Sequence, residues 1–336
     1  MNATRAGAGG RLFIVFVFSL LTGMFPHQAQ SQSQSQPWPT RPVNFIVSTS
    51  PGTASDILAR LMASRLSTVW KQPIVVDNRT GAGGAIAMGY VAKAKPDGYN
   101  ILFTPNTITM IGALSKSIDW DVVQSFTPVS LIARTLTVVV VNTDLPAKNV
   151  ADVMELARSQ PGKLNYASPG VGTPQHLFGE LFKQAYNLNV VHVPYKTSAG
   201  AVTDMAAGTT QFGFFALGTI MPMVKTGKLR ILAASSEQRS SFVPDVPTFN
   251  EAGIGKIQAS NWVGTFMPRQ MPADVVERVA RDFAALLADS GFQRELQNVE
   301  LIPNPSTGSS QEFAATVKFD AARWKKVVVD ANIVTE

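Results

Sequence analysis

One pattern occurs twice in this chain, about a domain's length apart. The strand-like residues 43–47 are followed by a short polar loop, STSPGTASD, and then by a helix-like stretch. The strand-like residues 164–167 are followed in the same way by the loop SPGVGTP and a second helix-like stretch. A loop of this kind offers backbone N–H groups, hydroxyls and a helix N-terminus, which together can bind an anion. Two copies in separate halves predict a cleft that holds an anion between two domains.

The composition permits a large core and excludes several kinds of site. The chain has 336 residues, of which 45% are hydrophobic, which is enough for two domains. It has no cysteine, so disulfides, zinc–thiolate sites and a cysteine nucleophile are ruled out. Its three histidines are isolated in the sequence, so we expect no metal site, and no motif indicates a cofactor. Lysine and arginine form no run longer than a pair, so we expect no nucleic-acid partner.

The first 31 residues are predicted to be a secretory signal peptide. Arg5 and Arg11 give a positive start, residues 12–21 form an apolar core, and small residues suited to cleavage lie at 29–31. Residues 32–37 are predicted to be a disordered polar leader. Cleavage of this signal would remove two arginines and no acidic residue, and would lower the formal charge from +6 to +4. The mature protein is therefore expected in the periplasm, and an uncleaved membrane anchor is the alternative.

The rest of the chain alternates strand and helix patterns. Residues 43–103 read as βαβαβ, which predicts a parallel sheet with right-handed crossovers. The β-branched run 136–141 is expected to leave this first domain, and residues 262–266 are expected to return to it. The helices after that return, ending with residues 311–328, are expected to pack on the first domain. The predicted fold class is α/β, with two open sheets joined by a hinge. Lobe 1 is assigned residues 38–137 and 262–336, and lobe 2 residues 138–261.

Catalytic chemistry is weakly supported. Ser168 lacks the G-x-S-x-G context of a nucleophile elbow, because Ala167 and Pro169 flank it. Beyond the predicted signal the histidines are His176 and His192. We expect His176 to lie on a helix and to be bonded to a neighbouring loop. We therefore predict that the protein is not an enzyme. A small-ester hydrolase is kept as the less favoured alternative.

Many short segments of the mature chain resemble one family, the substrate-binding proteins of tripartite tricarboxylate transporters, also called the Bug family. In order along the chain these segments read WPTRPV, SPG, DNRTGAGG, KPDGY, FTPVS, PGKLNYAS, VPYK, PDVPT and EAG. The resemblance implies a two-lobed periplasmic binding protein fold of type II-like form. It also implies that the protein binds a small organic carboxylate between the lobes. The implied partners are the membrane subunits of such a transporter. A sensor kinase is the alternative partner, and a monomer is expected.

The candidate ligand-binding residues follow from the two loops and from this resemblance. The first loop supplies Ser50, Gly52, Thr53 and Ala54, and the second supplies Ser168, Gly170, Gly172 and Thr173. The ends of two further strands add Thr104, Asn106, Thr107 and Ala216. The chain departs from the family pattern at Thr53, after Thr107 and at Ala216, which makes the expected cleft less polar. We expect hydroxyl and N–H groups, rather than an arginine, to hold the carboxylate.

Overall fold

The computed structural model describes residues 38–115, 117–257, 261–304 and 310–333. The predicted signal peptide and leader lie outside these residues. Within the described part of the chain, no helix combines the length and the apolar character needed to cross a membrane.

Six strands form the first sheet, sheet A. They are β1 (Val43–Val47), β2 (Ile74–Asn78), β3 (Asn100–Pro105), β4 (Phe126–Thr135), β10 (Asn261–Pro268) and β11 (Leu301–Pro303), in the order β11-β4-β10-β3-β1-β2. Strands β1, β2 and β3 pair in parallel, as the βαβαβ pattern predicts. The return strand β10 lies antiparallel between β3 and β4, so the sheet is mixed rather than wholly parallel.

Five strands form the second sheet, sheet B. They are β5 (Thr137–Asn142), β6 (Asn165–Ser168), β7 (Val191–Pro194), β8 (Phe212–Ala216) and β9 (Leu229–Ala234), in the order β7-β6-β8-β5-β9. Strand β6 pairs in parallel with β7 and β8, whereas β5 runs antiparallel to β8 and β9.

Ten α-helices connect and cover the strands of the described chain. They are α1 (Ala54–Trp70), α2 (Ala85–Ala92), α3 (Ile108–Leu114), α4 (Val150–Ser159), α5 (Pro174–Tyr186), α6 (Ser198–Ala206), α7 (Leu217–Lys225), α8 (Ala273–Ala288), α9 (Ser290–Asn298) and α10 (Ser310–Asp330). Helix α1 shows why these segments fold this way. Its buried residues Leu58, Met62 and Leu66 recur every four positions, which places them on one face against sheet A. The helix ends where Lys71 adopts a left-handed conformation, with φ of 52°.

Large aromatic side chains fill the core beside each sheet. Phe45, Phe103 and Phe283 pack together at sheet A, with ring centroids 4.6 to 6.2 Å apart. Phe182 and Phe214 do the same at sheet B, with centroids 5.8 Å apart. Each such ring contributes about 1.5–3 kcal/mol when it is buried. The two sheets therefore have separate apolar cores.

The two sheets are joined directly where their strands end. Strand β4 ends at Thr135 and β5 begins at Thr137, so a single residue, Leu136, separates the sheets. The Leu136 carbonyl accepts a hydrogen bond from Leu217 N–H, at 2.9 Å. The second connection enters β10, where Asn261 Nδ2 donates to Thr137 Oγ1 at 2.6 Å. Both predicted crossings between the sheets thus lie side by side.

The last helix, α10, contacts the cores of both sheets. Phe313 and Val317, near its start, belong to an apolar cluster with Trp262 of sheet A. Trp324, farther along, is fully buried in the cluster of sheet B, with its ring 5.6 Å from that of Phe178. The sequence predicts packing on the first domain, and the observed helix contacts that core and also the core of sheet B.

Candidate functional site

The two polar loops lie at strand edges that the connection through Leu136 brings together. Loop 1 (residues 48–53) follows the carboxyl end of β1, and β4 runs in the same direction as β1. Loop 2 (residues 169–173) follows the carboxyl end of β6, at the edge where β5 begins beside Ala216. Ligands of open α/β sheets bind beyond the carboxyl ends of their strands. Both loops occupy that position.

The buried carboxylate of Asp56 holds loop 1 in place. Asp56 is 2% exposed, and its Oδ2 accepts a hydrogen bond from Gly52 N–H at 2.8 Å. Arg60 and Asn78 donate to the same carboxylate, at 3.0 and 2.9 Å. Burial opposes ionisation of Asp56, but the hydrogen bonds from Arg60, Gly52 and Asn78 outweigh it and hold its pKa below the usual value. The Gly52 N–H group is therefore engaged within the protein.

The N-terminus of α1 is open beside loop 1. Thr53 is the N-cap residue, but its side chain forms no cap hydrogen bond. Its hydroxyl instead donates to the Ser50 carbonyl at 2.8 Å and lies 2.6 Å from Thr49 Oγ1. The first N–H groups of a helix have no partner within the helix. Those at Ala54 and Ser55 are therefore placed to receive an anion, and the exposed Ser50 lies next to them.

Loop 2 is arranged differently, because its polar groups bond to one another. Ser168 is fully buried, and its Oγ contacts Gly170 N and Gly170 O, each at 3.1 Å. The Gly172 N–H group donates to His176 Nδ1 at 3.0 Å. The Thr173 hydroxyl donates to the Gly170 carbonyl at 2.7 Å and caps α5 by accepting from His176 N–H at 3.4 Å. The candidate residues of loop 2 thus set the shape of the loop.

Two stacked imidazoles lie under loop 2. The rings of His176 and His192 are 3.9 Å apart at an angle of 14°, and His192 Nε2 lies 2.6 Å from Ser168 Oγ. Burial lowers the pKa of His176, with Glu180 opposing the shift and Lys183 adding to it. Burial, His176 and Lys183 lower the pKa of His192 to about 3. Both rings are therefore neutral at pH 7. The bond from Gly172 confirms the expectation that His176 serves a neighbouring loop.

The remaining four candidates lie at strand ends near the connection. Thr104 is fully buried and accepts from Ser48 Oγ at 2.8 Å, below loop 1. Asn106 is also buried, and its N–H donates to the Trp262 carbonyl at the start of β10. Thr107 and Ala216 are partly exposed and are the N-cap residues of α3 and α7, without side-chain cap bonds. At these two helix starts the Leu217 N–H donates to the Leu136 carbonyl and the Thr109 N–H to the Asn106 carbonyl.

A cavity of about 650 Å³ lies beside the same connection, on the side of β4, β9 and β11. Its lining includes Arg134, Leu136, Ser235, Asn261 and Asn304, and none of the twelve candidate residues. Arg134 contributes a basic side chain to this lining. Arg79, in contrast, is paired with Asp77 at 2.8 Å and lies over the Tyr90 ring.

The geometry gives little support to catalysis at Ser168. The contact with His192 has the distance of a serine–histidine pair, but the Ser168 side chain is fully buried and a substrate could not reach it. Among the described residues, no cluster of histidine, aspartate and glutamate could hold a metal ion.

Comparison with known proteins points to the same family that the sequence segments resemble. The family model described as "Tripartite tricarboxylate transporter family receptor" matches residues 58–333. This range includes loop 2 and begins within α1, just after loop 1.

Three solved structures illustrate the similarity. The chain is 34% identical to R. palustris Rpa4515, solved with adipate, over 88% of this chain and 99% of that one, with a TM-score of 0.75. It is 27% identical to the periplasmic binding protein BugD, over 89% and 100%, with a TM-score of 0.72. It is 26% identical to MatC from Rhodopseudomonas palustris, solved with bound malate, over 86% and 99%, with a TM-score of 0.72. These similarities confirm the predicted fold class.

Proposed function

This chain belongs to the tripartite tricarboxylate transporter receptor family, and we propose that it captures a small organic carboxylate between its two lobes for such a transporter. Two similar proteins were solved with adipate and with malate, which are both dicarboxylates. Similar proteins of this family are periplasmic binding proteins, which supports a periplasmic location for this chain. Export by a cleaved signal peptide, and action as a monomer that delivers its solute to membrane subunits, are parts of the same proposal.

The open N-terminus of α1 carries this proposal. A helix of 17 residues directs its partial positive charge at loop 1, and no side chain caps it. Hydrogen bonds to a charged acceptor contribute about 1.5–3 kcal/mol each, so two amides and one hydroxyl can hold a carboxylate. In this proposal the carboxylate accepts from the Ala54 and Ser55 N–H groups and from the Ser50 hydroxyl, while Thr53 bonds the Ser50 carbonyl and shapes the loop. The negative charge of Asp56 is balanced by the positive charge of Arg60, and Asp56 fixes the loop.

Loop 2 has a supporting part in the proposal. Since Ser168 bonds Gly170, and Gly172 bonds His176 of α5, these residues shape the wall of lobe 2 that closes over the ligand. In this proposal Thr107 and Ala216, at the starts of α3 and α7, face the remainder of the solute. Closure at the hinge through Leu136 then buries the ligand, as in other two-lobed binding proteins.

We propose further that the protein binds its solute without converting it. The buried Ser168 and the depressed pKa of His192 leave no accessible nucleophile–base pair there. Mass spectrometry of the solute after incubation with the protein is expected to return it unchanged. A new product that disappears in Ser168→Ala would support the hydrolase alternative.

A thermal-shift panel of carboxylates tests the proposal. The panel contains adipate, malate, shorter and longer dicarboxylates, monocarboxylates and the neutral diamide of each dicarboxylate. A ligand at about 100 times its dissociation constant stabilises the folded state by about 2.7 kcal/mol, which is readily measured. We expect at least one acid to raise the melting temperature while its diamide does not. If no acid stabilises the protein, or if the diamides do so equally, the proposal is wrong.

A further inference from the structure

We propose that His176 is a positioning residue of the ligand site: its neutral imidazole fixes loop 2 through Gly172, and its protonation releases the loop. The inference concerns the lobe-2 wall and rests on the proposed function for its effect on binding. The contact itself can be tested without any ligand.

The contact defines the state of the ring. A backbone N–H group can only donate, so His176 Nδ1, 3.0 Å from Gly172 N, must be the unprotonated acceptor. The ring proton is then on Nε2, which lies 3.9 Å from Glu180 Oε1. His176 is 5% exposed, so water does not replace Gly172 as its partner without a local opening. One tautomer of one buried ring thus holds the middle of loop 2.

The groups around His176 decide how readily it takes a proton. Glu180 favours the cation, but its carboxylate already accepts from Tyr166 Oη at 2.7 Å and from Lys183 Nζ at 2.8 Å. Lys183 and burial disfavour the cation. His192 is stacked on the ring at 3.9 Å, so a charge on either imidazole must face the other.

Protonation would act directly on the loop. The added proton would be placed on Nδ1 and would point at the Gly172 N–H group, so two donors would face each other at 3.0 Å. The loop and the ring would then have to separate. Beneath the same loop, His192 Nε2 contacts Ser168 Oγ, which in turn bonds Gly170. Loss of the Gly172 bond therefore releases the middle of loop 2, while the Ser168–Gly170 contacts remain, and binding should weaken as the pH falls.

The ligand-free test reads the Gly172 amide by NMR. Labelling valine with ¹³C at the carbonyl and glycine with ¹⁵N selects the Val–Gly peptide bonds, and the sequence contains two of these, Val171–Gly172 and Val263–Gly264. The second lies in β10 and serves as the internal control. The Val171–Gly172 resonance identifies itself by its shift in His176→Leu, which has no acceptor.

The proposal predicts three results in the ligand-free protein. The Gly172 resonance moves between pH 8 and pH 5 while that of Gly264 does not. In His176→Asn, whose Oδ1 can take the place of Nδ1 without titrating, the resonance keeps its position and no longer responds to pH. In His176→Leu it shifts at every pH. If the Gly172 resonance is the same in the wild type and in His176→Leu, or if it does not respond to pH in the wild type, the inference is wrong.

Calorimetry with adipate and with malate adds the binding result. At pH 7.5 we expect His176→Leu to bind about tenfold more weakly than the wild type, and His176→Asn to restore the affinity. Between pH 7.5 and pH 5.5 the wild type should lose affinity more steeply than His176→Asn. Equal pH profiles for the two would contradict the inference. If neither acid binds to any of the three proteins, the carboxylate proposal loses its support from these acids. The NMR result alone then decides whether His176 positions loop 2.

Discussion

Removing the serine hydroxyl should destabilise the protein at Ser168 and have little effect on its stability at Ser50. Ser168 is fully buried under loop 2, whereas Ser50 is exposed in loop 1. Ser168→Ala would leave the Gly170 N–H group and His192 Nε2 without their partner. Ser50→Ala would remove a hydroxyl that no hydrogen bond of the fold requires among the described residues.

The size of the effect follows from the contacts. An unsatisfied buried polar group destabilises the folded state by about 1–3 kcal/mol, so Ser168→Ala should lower the free energy of unfolding by about 2 kcal/mol. This corresponds to a melting temperature lower by about 4–8 °C. A substitution at an exposed position such as Ser50 is expected to stay within about 0.5 kcal/mol of the wild type.

Urea denaturation of the ligand-free proteins provides the assay. The expected order of unfolding midpoints is wild type equal to Ser50→Ala, with Ser168→Ala clearly lower. With a bound carboxylate, the loss of affinity should be larger for Ser50→Ala. If Ser168→Ala unfolds with the wild type and Ser50→Ala does not, the assignment of a structural role to Ser168 and a binding role to Ser50 is refuted.

Three other predictions concern pH, the last helix and the hinge. Because the folded state lowers the pKa of His192 to about 3 from an ordinary 6.5, the unfolded state binds more protons between these values. The free energy of unfolding should therefore be highest above pH 6.5 and should fall as the pH is lowered, which denaturation at pH 7.5 and 5.5 can measure. His192→Phe should flatten this dependence. An equally steep profile in His192→Phe would argue against His192 as its source. Trp324→Ala should lower the free energy of unfolding by about 3–5 kcal/mol, since the ring is fully buried between the cores, whereas Phe319→Ala on the exposed face of the same helix should have little effect. Small-angle scattering should show a smaller radius of gyration once a confirmed carboxylate is bound, and an unchanged radius would count against closure.

The parallel part of sheet A and the strand that enters sheet B could be predicted from the sequence, because local patterns determine them. The alternation of strand and helix over residues 43–103 predicts β1, β2 and β3 in the observed parallel pairing. The β-branched run 136–141 predicts the strand that enters the second sheet, observed as β5. Hydrophobic periodicity and turn residues are sufficient for elements of this kind.

Elements that depend on contacts between distant residues could not be predicted from local sequence patterns. Strand β4 contains Pro128, which weakens a strand pattern, and it is held by pairing with β10 more than a hundred residues later. Helix α3 is short, and its Met110 is buried against the second core rather than on a recognisable amphipathic face. The bridging position of α10 depends on both cores being present. No local pattern encodes it.

The positions of the two loops were predictable from the sequence, and the hydrogen bonds that hold them were less so. The two loops and the helix starts follow from Gly, Ser and Thr after a strand, and in the structure each loop lies between the end of its strand and the next helix. Which groups are engaged within the protein depends on residues distant in sequence. The bond between Ser168 and His192 spans 24 residues, and the support of Asp56 by Asn78 spans 22. The part played by the hydroxyl of Ser168 could therefore be read only from the fold.

Titration calorimetry of one acid and its diamide tests the central claim most directly. The most stabilising dicarboxylate of the thermal-shift panel is titrated into the wild type, Ser50→Ala and Arg134→Gln, and its diamide into the wild type. We predict that the acid binds the wild type, that Ser50→Ala weakens it by about tenfold or more, and that Arg134→Gln weakens it less. We predict no binding of the diamide. Equal binding of the diamide, or normal binding by Ser50→Ala together with loss of binding in Arg134→Gln, would contradict capture of a carboxylate at loop 1.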